Sequence, residues 1–557
     1  MTSRPGPPAW VRRYVRGQAR TLAAVAVLSA LLSVLAVAQP WLSMHIVDDA
    51  LIGRDLRLLV LLCAAIVGLA VLGLGLGALN RWLYVRASGR MLFALREDVY
   101  AHLLRLPPEF FRRRPVGEIV SRLDGDVAEI QRFASDTLLA VINSVLVLTV
   151  TAAVMLWLDP LLALVAAASL PVQLWLRRRA QPWIRDTTHE VRAQAGRVTQ
   201  FLVETLGGVR AVQGAAAEDF ERDRLATLNR EYLARLLRQQ VVGFSLGSAS
   251  AVVGHLSTAA VFVVGGVGVI QGSTTVGTLV AFAAWLTRSA GSAASLLNVY
   301  SAWQRARVSL DRVEELRSAV AVATPGSRAV QGPGALRFEN LVLRREPGAP
   351  ALLDGVTIDL PAGCKIVLRG ASGAGKSTLA DVLRRFVEPE AGEVLLDGRA
   401  LAAYDLQSLR RRVVVLDTEP VLLPGSIRHS LRYGHFGASD ADVERAAAVA
   451  GVADFVRELP QGYETLVGGG GAGLSAGQRQ RVALARALLA DPVVVVVDEA
   501  TSHVDAAGAG ALLRAIDRCF GHCTRIVITH AAIPVDADIV LTLAAGRLRP
   551  SVAGATA

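Results

Sequence analysis

The residues best suited to chemistry lie in the stretch GASGAGKST at 370–378. It follows the short apolar run KIVL and opens the helical pattern TLADVLRRF, which is the order expected of a phosphate-binding loop. Its glycines let backbone N–H groups surround a phosphate, and the helix N-terminus adds its positive end. Lys376 supplies a compact charge to the β- and γ-phosphates, and Ser377 offers a hydroxyl to Mg²⁺. The predicted nucleotide-binding residues of this loop are Gly370, Ser372, Gly373, Ala374, Gly375, Lys376, Ser377 and Thr378.

Two further runs end in groups that suit phosphate hydrolysis. VVVVVDEATS at 493–502 is typical of a parallel strand buried on both faces, and it ends in Asp498 and Glu499. Ligands of such sheets sit at the carboxyl ends of the strands, so Asp498 is predicted to hold Mg²⁺ through water. Glu499 is predicted to polarise the water that attacks the γ-phosphate. RIVITH at 525–530 ends in His530, a predicted γ-phosphate contact.

A second stretch of phosphate-binding character is LSAGQRQR at 474–481. Small residues at the start of a helix leave backbone N–H groups open to an anion. Because the chain already has a phosphate loop about a hundred residues earlier, this second stretch needs another explanation.

Composition shows that these motifs occupy only part of the chain. The 557 residues are 52% hydrophobic and 19% charged, which is too apolar for a soluble protein and too long for one domain. The apolar excess lies before about residue 303. The net charge is +11, but the arginines flank the apolar runs instead of forming one basic face, so no nucleic-acid partner is expected.

Six apolar segments are long enough to span a bilayer as helices, which takes about 20 residues. Arginines set their orientation, since residues 1–20, 81–136 and 177–242 carry five, ten and twelve of them, whereas the alternate connections are short and carry few. Both termini are therefore predicted to be cytoplasmic, in a multi-pass protein of the inner (plasma) membrane. The predicted spans lie near 21–46, 58–80, 137–158, 160–176, 243–271 and 276–300.

The predicted fold is an all-α six-helix transmembrane domain with long intracellular helical extensions, followed by an α/β P-loop NTPase domain. The transmembrane domain is assigned to residues 1–317 and a Gly- and Pro-containing linker to 318–335. The nucleotide-binding domain is assigned to residues 336–550.

The order of these motifs resembles the nucleotide-binding domain of an ABC transporter, and the six spans resemble the membrane domain of exporter-type half-transporters. The stretches FFRRRPVGEIVSRLDGDVAEI at 110–130 and FLVETLGGVRAVQGAAAEDF at 201–220 are similar to the intracellular loops of that family. The resemblance covers nearly the whole chain. It implies an ATPase coupled to transmembrane movement of substances, with ATP and Mg²⁺ as cofactors.

The resemblance also implies that two half-transporters enclose two ATP molecules. Each ATP would lie between the phosphate loop of one chain and the signature motif of the other, here Ser475, Ala476, Gly477 and Gln478. Asp505 would communicate across the dimer, and His530 would act as the switch histidine. The second phosphate-like stretch would then belong to the partner's nucleotide.

Three residues depart from the family pattern. Ala476 replaces a glycine of the signature, Thr418 stands where a glutamine usually reaches the metal, and Arg345 stands where an aromatic residue usually stacks on adenine. A guanidinium can also stack, so Arg345 remains a predicted ATP contact. The departures leave two interpretations open, a homodimer or a heterodimer in which one composite site hydrolyses ATP poorly.

Polar residues inside spans point to a cavity more often than to lipid. On this basis Arg288 and His255 are the predicted residues of the substrate pathway. The predicted function is ATP-driven export of an amphipathic small molecule, lipid or peptide, in contact with membrane lipid. Two alternatives remain: an exporter-shaped importer, for example of a metal chelate, and a membrane-tethered ATPase that drives assembly without transport.

Overall fold

The computed structural model describes residues 9–319, 326–345, 348–417, 420–471, 473–498, 506–529 and 536–550. The chain divides into two compact units. The first contains Met1–Tyr100 and Val120–Glu315, and the second contains Ala101–Ile119 and Leu316–Ala557. This division differs from the predicted domains in one respect, because Ala101–Ile119 lies with the second unit.

The first unit is built from helices, with short π-helical turns at Ile46–Leu51, Arg122–Asp126 and Phe133–Thr137. The helices up to the start of the linker are α1 (Ala9–Gly17), α2 (Ala19–His45), α3 (Leu56–Leu103), α4 (Pro108–Arg113), α5 (Val116–Ser121), α6 (Val127–Arg132), α7 (Leu138–Leu158), α8 (Pro160–Ala167), α9 (Ser169–Gly207), α10 (Val209–Gly214), α11 (Glu218–Gln271) and α12 (Val276–Ser318). Four of these helices, α3, α9, α11 and α12, have 48, 39, 54 and 43 residues and are far longer than the roughly 20 residues that suffice to cross a bilayer.

Among the described residues, five helical stretches are long and apolar enough to cross a membrane. Each contains one of the first five predicted spans. The sixth predicted span lies in α12, which is helical throughout but is not among the five. Arg288 and several serines and glycines in the first half of α12 lower its hydropathy. The five stretches are Ala19–Leu51, Leu56–Leu103, Val116–Leu158, Pro160–Gly207 and Glu218–Gln271.

The first half of α12 nevertheless carries two of the largest fully buried side chains among the described residues. Phe282 and Trp285 are completely buried, and they share one apolar core with residues of α2, α7, α8 and α11. The Trp285 indole donates a hydrogen bond to the carbonyl oxygen of Val37 at 3.2 Å, which satisfies its only polar group inside that core. The first half of α12 therefore packs in the first unit through a few large aromatic side chains, although it also contains polar residues.

The turn before α12 is fixed by a carboxylate in the π-helical turn that follows α2. Asp48 accepts hydrogen bonds from the Gly277 backbone N–H at 2.8 Å and from the Thr275 hydroxyl at 2.6 Å. The backbones approach closely here, because a Cβ atom on Gly277 would lie 2.4 Å from the Met44 carbonyl oxygen. Only glycine fits this position without a shift of one helix.

The part of α9 that follows its apolar span packs through polar contacts against the part of α11 that precedes its own apolar span. Gln194 is completely buried, and its amide donates to Glu231 at 3.2 Å while its oxygen accepts from Arg235. Gln239 donates to the Thr188 hydroxyl at 2.9 Å. A buried amide with both ends satisfied fixes the register of the two helices, because any slip would leave it unpaired.

The second unit is an α/β structure with two main sheets. A four-stranded antiparallel sheet has the order β2–β1–β4–β5, and a six-stranded sheet has the order β12–β11–β3–β10–β9–β6 with β11 to β6 parallel. The strands are β1 (Leu336–Arg344), β2 (Ala351–Leu360), β3 (Lys365–Gly370), β4 (Ala391–Leu396), β5 (Arg399–Ala400), β6 (Val413–Leu416), β7 (Gly425–Ser426), β8 (Leu466–Val467), β9 (Val494–Asp498), β10 (Thr524–Ile528), β11 (Ile539–Ala544) and β12 (Arg547–Pro550).

Helices cover both faces of the six-stranded sheet, as parallel strands require. Successive valines of β9 point to opposite faces, so Val494 and Val496 join one core and Val495 and Val497 join the other. The helices are α13 (Lys376–Leu383), α14 (Leu406–Arg412), α15 (Ile427–Arg432), α16 (Asp440–Val449), α17 (Val452–Arg457), α18 (Ala476–Leu489) and α19 (Ala506–Phe520).

The close approach at Gly277 gives a testable prediction. Gly277→Ala is expected to lower the stability of the purified protein by about 1–3 kcal/mol, the usual cost of overpacking, because its Cβ would press on the Met44 carbonyl. Gly291→Ala is the matched control in the same helix, since a Cβ there meets nothing within 4 Å. Thermal unfolding of both variants measures the difference. Equal unfolding temperatures would contradict the packing described here.

Candidate nucleotide-binding site

The predicted phosphate loop joins β3 to α13. Its backbone takes a shape that only glycine adopts easily, since Gly373 and Gly375 have φ angles of +78° and +102°. A Cβ atom on Gly375 would also lie 3.3 Å from the Leu352 carbonyl oxygen, whereas a Cβ on Gly373 would meet nothing within 4 Å. The loop is therefore closed against β2 on one side and open on the other. Ser372, Gly373 and Ser377 are exposed on the open side.

Lys376 is the first residue of α13 and is only 4% exposed. Its ammonium donates hydrogen bonds to the carbonyl oxygens of Gly370 and Ala371, both at 2.9 Å. Burying an ammonium is costly unless it is well paired. A bound polyphosphate would supply the opposite charge at the place where the loop already holds this cation.

Asp498 lies at the end of β9, level with the end of β3. Both Asp498 and Leu368 are in register with Ile528 of the strand between them, and the loop begins two residues after Leu368. Asp498 is half-buried, and the Ser377 hydroxyl is exposed. These two oxygen donors are the kind that Mg²⁺ prefers. A Mg²⁺ ion would find oxygen ligands in Ser377 and Asp498, so the residues present fit this metal.

Four predicted site residues lie outside the described residues: Glu499, which follows Asp498 directly, and Thr418, Asp505 and His530. Their predicted roles stay predictions. The residue before Thr418 is described. Asp417 follows β6, whose last residue Leu416 is in register with Val497 of β9. Asp417 is exposed at the sheet edge that carries Asp498, and sequence analysis did not single it out because its place depends on strand order.

The signature residues build the start of α18. The Ser475 hydroxyl accepts a hydrogen bond from the Gln478 backbone N–H at 3.2 Å, and the Gln478 side chain accepts one from the Ser475 N–H at 2.8 Å. This reciprocal capping box satisfies two N–H groups that the helix leaves open. Ser475 and Ala476 are exposed. Ala476 is in the first turn of the helix and has no positive φ, so its conformation does not require glycine.

The phosphate loop and the signature motif belong to opposite faces of the six-stranded sheet. Leu379 and Leu383 of α13 pack in the core that contains Val496, whereas Val482 and Leu484 of α18 pack in the core that contains Val495. The two helices that begin with these motifs are therefore separated by the sheet. This arrangement does not bring them to one phosphate within the chain.

Arg345 follows β1 and is exposed beside a cavity of about 460 Å³ within the second unit. Thr378 of the phosphate-loop helix lines the same cavity, so Arg345 and the loop share one space. The opposite wall is α4, where Arg113 donates a hydrogen bond to the Arg345 carbonyl oxygen at 3.4 Å. Sequence analysis named neither this contact nor the cavity. The basic cluster FFRRR at 110–114 was the available signal.

The electrostatics of this cavity are set by Asp381 of α13. Burial raises the pKa of the Asp381 carboxyl above its usual range, and the nearby guanidinium groups of Arg384 and Arg112 oppose that shift. Arg112 lies in α4, so this segment contributes positive charge to a wall of the cavity. Because the shift is upward, ionised Asp381 is disfavoured in the folded protein. Its protonation therefore stabilises the fold as pH falls towards its pKa.

The two predicted pathway residues lie in different places within the first unit. His255 lines a cavity of about 640 Å³ between α7, α8, α9, α11 and α12. Arg288 is exposed and is not among the residues that line that cavity, although its neighbours Thr287 and Ser289 are. Gln173 and Arg177 line the same cavity as His255.

Comparison with known proteins agrees with this architecture. Residues 22–287 match the family described as the ABC transporter transmembrane region, and residues 353–502 match the ABC transporter family. The chain is 30% identical over 541 residues to the leukotoxin export ATP-binding protein LtxB of Aggregatibacter actinomycetemcomitans, covering 94% of this chain and 74% of the relative. It is 29% identical to the alpha-hemolysin translocation ATP-binding protein HlyB of Escherichia coli, with the same coverage.

A solved structure described as a bacterial Atm1-family ABC exporter with ATP bound is similar with a TM-score of 0.79. It shares 28% sequence identity, and the match covers 97% of this chain and 94% of that chain. The chain belongs to the ABC transporter family, as a half-transporter of the exporter type. It is a multi-pass membrane protein whose ATP-binding domain is an ATPase that drives transport. The predicted family and fold class are thereby confirmed.

The two lysines of the chain provide a matched test of the phosphate loop. Lys376→Ala is expected to lower ATP hydrolysis by at least about a hundredfold, because the phosphates lose their positive partner. Lys365→Ala is the control, since Lys365 pairs with Asp517 at 2.6 Å on the other end of β3. This variant should lose stability but keep its apparent affinity for ATP. Nucleotide binding and unfolding temperature, measured on both variants, separate the two effects.

The capping box predicts that Ser475 contributes to stability even without nucleotide. Ser475→Ala removes the acceptor for the Gln478 N–H and is expected to cost about 1 kcal/mol of stability. Ser372→Ala, at an exposed position of the phosphate loop, should leave the unfolding temperature unchanged. Denaturation of the purified variants without nucleotide measures both. A stable Ser475→Ala variant would show that the cap does not hold the start of α18.

Proposed function

We propose that this chain exports an amphipathic small molecule, lipid or peptide as one half of a dimer, using Mg²⁺ and ATP. The observation that carries the dimer is the separation of the two phosphate-binding motifs by the six-stranded sheet. The signature motif is built with a complete cap and exposed Ser475 and Ala476, yet it does not face the nucleotide of its own chain. A second chain that presents its phosphate loop would use it.

The geometry of the described residues supports the first part of this assignment, and the chain's family membership supports the roles of Glu499, His530, Thr418 and Asp505, which lie outside the described residues. Lys376 and the N–H groups of Gly373 and Gly375 bind the phosphates, and Ser377 and Asp498 hold Mg²⁺, the latter through water. Arg345 contacts the base from the cavity that it shares with Thr378. Glu499 acts on the attacking water, His530 contacts the γ-phosphate, Thr418 lies near the metal and Asp505 communicates across the dimer.

The chain is placed in the inner (plasma) membrane with both termini cytoplasmic. The charge distribution supports this orientation, because residues 177–242 carry twelve arginines while the short α7–α8 and α11–α12 turns carry none. The direction of export is supported by the similarity to a leukotoxin export protein and an alpha-hemolysin translocation protein.

Inside-out membrane vesicles test the direction of transport. A fluorescent single-chain amphiphile is expected to accumulate in vesicles that contain the wild-type chain when Mg²⁺ and ATP are added. Vesicles with Lys376→Ala should show no accumulation. An importer would release the probe from preloaded vesicles instead, and an ATPase that drives assembly would move it in neither direction.

ATP hydrolysis by the chain purified alone tests its partner. Robust hydrolysis would establish a homodimer, whereas weak hydrolysis that rises on adding a second half-transporter would establish a heterodimer. Ala476→Gly is expected to raise hydrolysis by less than about tenfold in either assembly, because it removes a methyl group facing the partner's nucleotide. Gly477→Ala is the control, which adds a methyl group one position later and should lower it. An unchanged rate in both variants would contradict a role of this turn in the composite site.

A further inference from the structure

One cavity of the membrane unit has a volume of about 640 Å³. Sites for small molecules commonly have volumes of roughly 300–1,000 Å³. The cavity is therefore of the right size for one small ligand. All of its lining residues belong to the first unit, on α7, α8, α9, α11 and α12.

Its polar groups are confined to one end. The α7–α8 and α11–α12 turns lie together at the other end, where the Thr274 hydroxyl donates to Asp159 at 3.1 Å. Near these turns the walls are purely apolar, formed by Met155, Leu156, Pro160, Ala163 and Leu164. Every polar or charged lining residue lies more than two turns along its own helix from them. These residues are Ser169, Gln173, Arg177, Ser250, His255, Thr258, Thr287 and Ser289.

The charged group at the polar end is Arg177, which is half-buried. Within the described part of the chain, Arg177, His255 and Gln173 have no side-chain hydrogen bond or ion pair. The helical rise from Pro160 to Arg177 is about 25 Å, close to the roughly 30 Å of a bilayer's hydrocarbon core. A cation on the wall of an apolar cavity favours an anion beside it, because its own solvation is reduced.

We propose that this cavity binds a single-chain amphiphile with one anionic headgroup, either a carboxylate or a phosphate. The apolar chain lies along the Met155–Leu164 wall, and the headgroup pairs with Arg177 and accepts hydrogen bonds from Gln173 and His255. This assignment rests on the proposed export function, because it names the class of the transported substrate. It differs from the toxins in the names of the relatives, since the cavity has the size of a small-molecule site.

The neighbouring residue Arg178 makes a matched test possible. Arg178 is exposed and does not line the cavity. The full chain, in nanodiscs of phosphatidylcholine, is titrated with a fluorescent fatty acid, its methyl ester and a fluorescent lysophosphatidic acid. Arg177→Gln is expected to weaken binding of an anionic probe by about tenfold, the effect of losing one hydrogen bond to a charged group, and to leave the ester unchanged. Arg178→Gln should bind all three probes like the wild type.

A second variant tests the cavity itself without removing charge. A Cβ atom on Gly254 would meet nothing within 4 Å, so Gly254→Leu places a side chain in open space on the cavity wall. Binding of both the acids and the ester should fall, while basal ATP hydrolysis continues. The unfolding temperature of each variant shows that the chain remains folded.

Two results would overturn the assignment. One is equal affinity of the wild type for the acids and the ester, and the other is an effect of Arg178→Gln as large as that of Arg177→Gln. Either result leaves the export proposal standing if vesicles still accumulate another amphiphile on addition of ATP. Conversely, Arg177-dependent binding without any ATP-driven movement would support the binding site and contradict export.

Discussion

The buried ammonium of Lys376 is the interaction on which the nucleotide-binding domain depends. It lies at the junction of β3 and α13, at the carboxyl edge of the sheet. There it is buried and donates hydrogen bonds to two loop carbonyls at 2.9 Å. The loop must be rich in glycine to fold around it, and the strand beneath must be buried to fix the loop. The position of Asp498 follows from the same strand order, since β9 is separated from β3 by β10 alone. Burying the Lys376 ammonium costs free energy, and the negative charge of bound phosphates would offset that cost.

The second constraint is that a parallel sheet has two covered faces. Alternating valines of β9 pack in two separate cores, one on each face of the sheet. The helix that follows the phosphate loop packs in one core, and the helix that begins with the signature motif packs in the other. The chain therefore carries its two phosphate-binding motifs on different faces of one sheet. Association of two chains is the arrangement that makes both motifs useful at the same time.

Local features of this fold could be read from the sequence because they depend on neighbouring residues. The run of valines before Asp498, the glycines of 370–378 and the Ser475–Gln478 spacing each specify a strand, a loop or a cap within a few residues. The contact of Arg113 with the Arg345 carbonyl and the cavity around Arg177 could not be read in this way. They depend on segments far apart in the chain, and Arg177 stands in a run of three arginines that by itself indicates only the edge of a span. The burial of Phe282 and Trp285 in α12 could not be read in this way either, because their core is built from helices far apart in the chain.

In the first turn of α18, the residues that stabilise the helix differ from Ala476, the signature residue that departs from the family pattern. Ser475 and Gln478 hold the helix, while Ala476 between them is exposed, helical and free of any requirement for glycine. Alanine is also the residue that most favours a helix. After gene duplication, a mutation at this codon can change how one chain meets its neighbour's nucleotide while the domain folds as before. A single substitution could thus make the two halves of the proposed dimer hydrolyse ATP at different rates without causing either half to misfold.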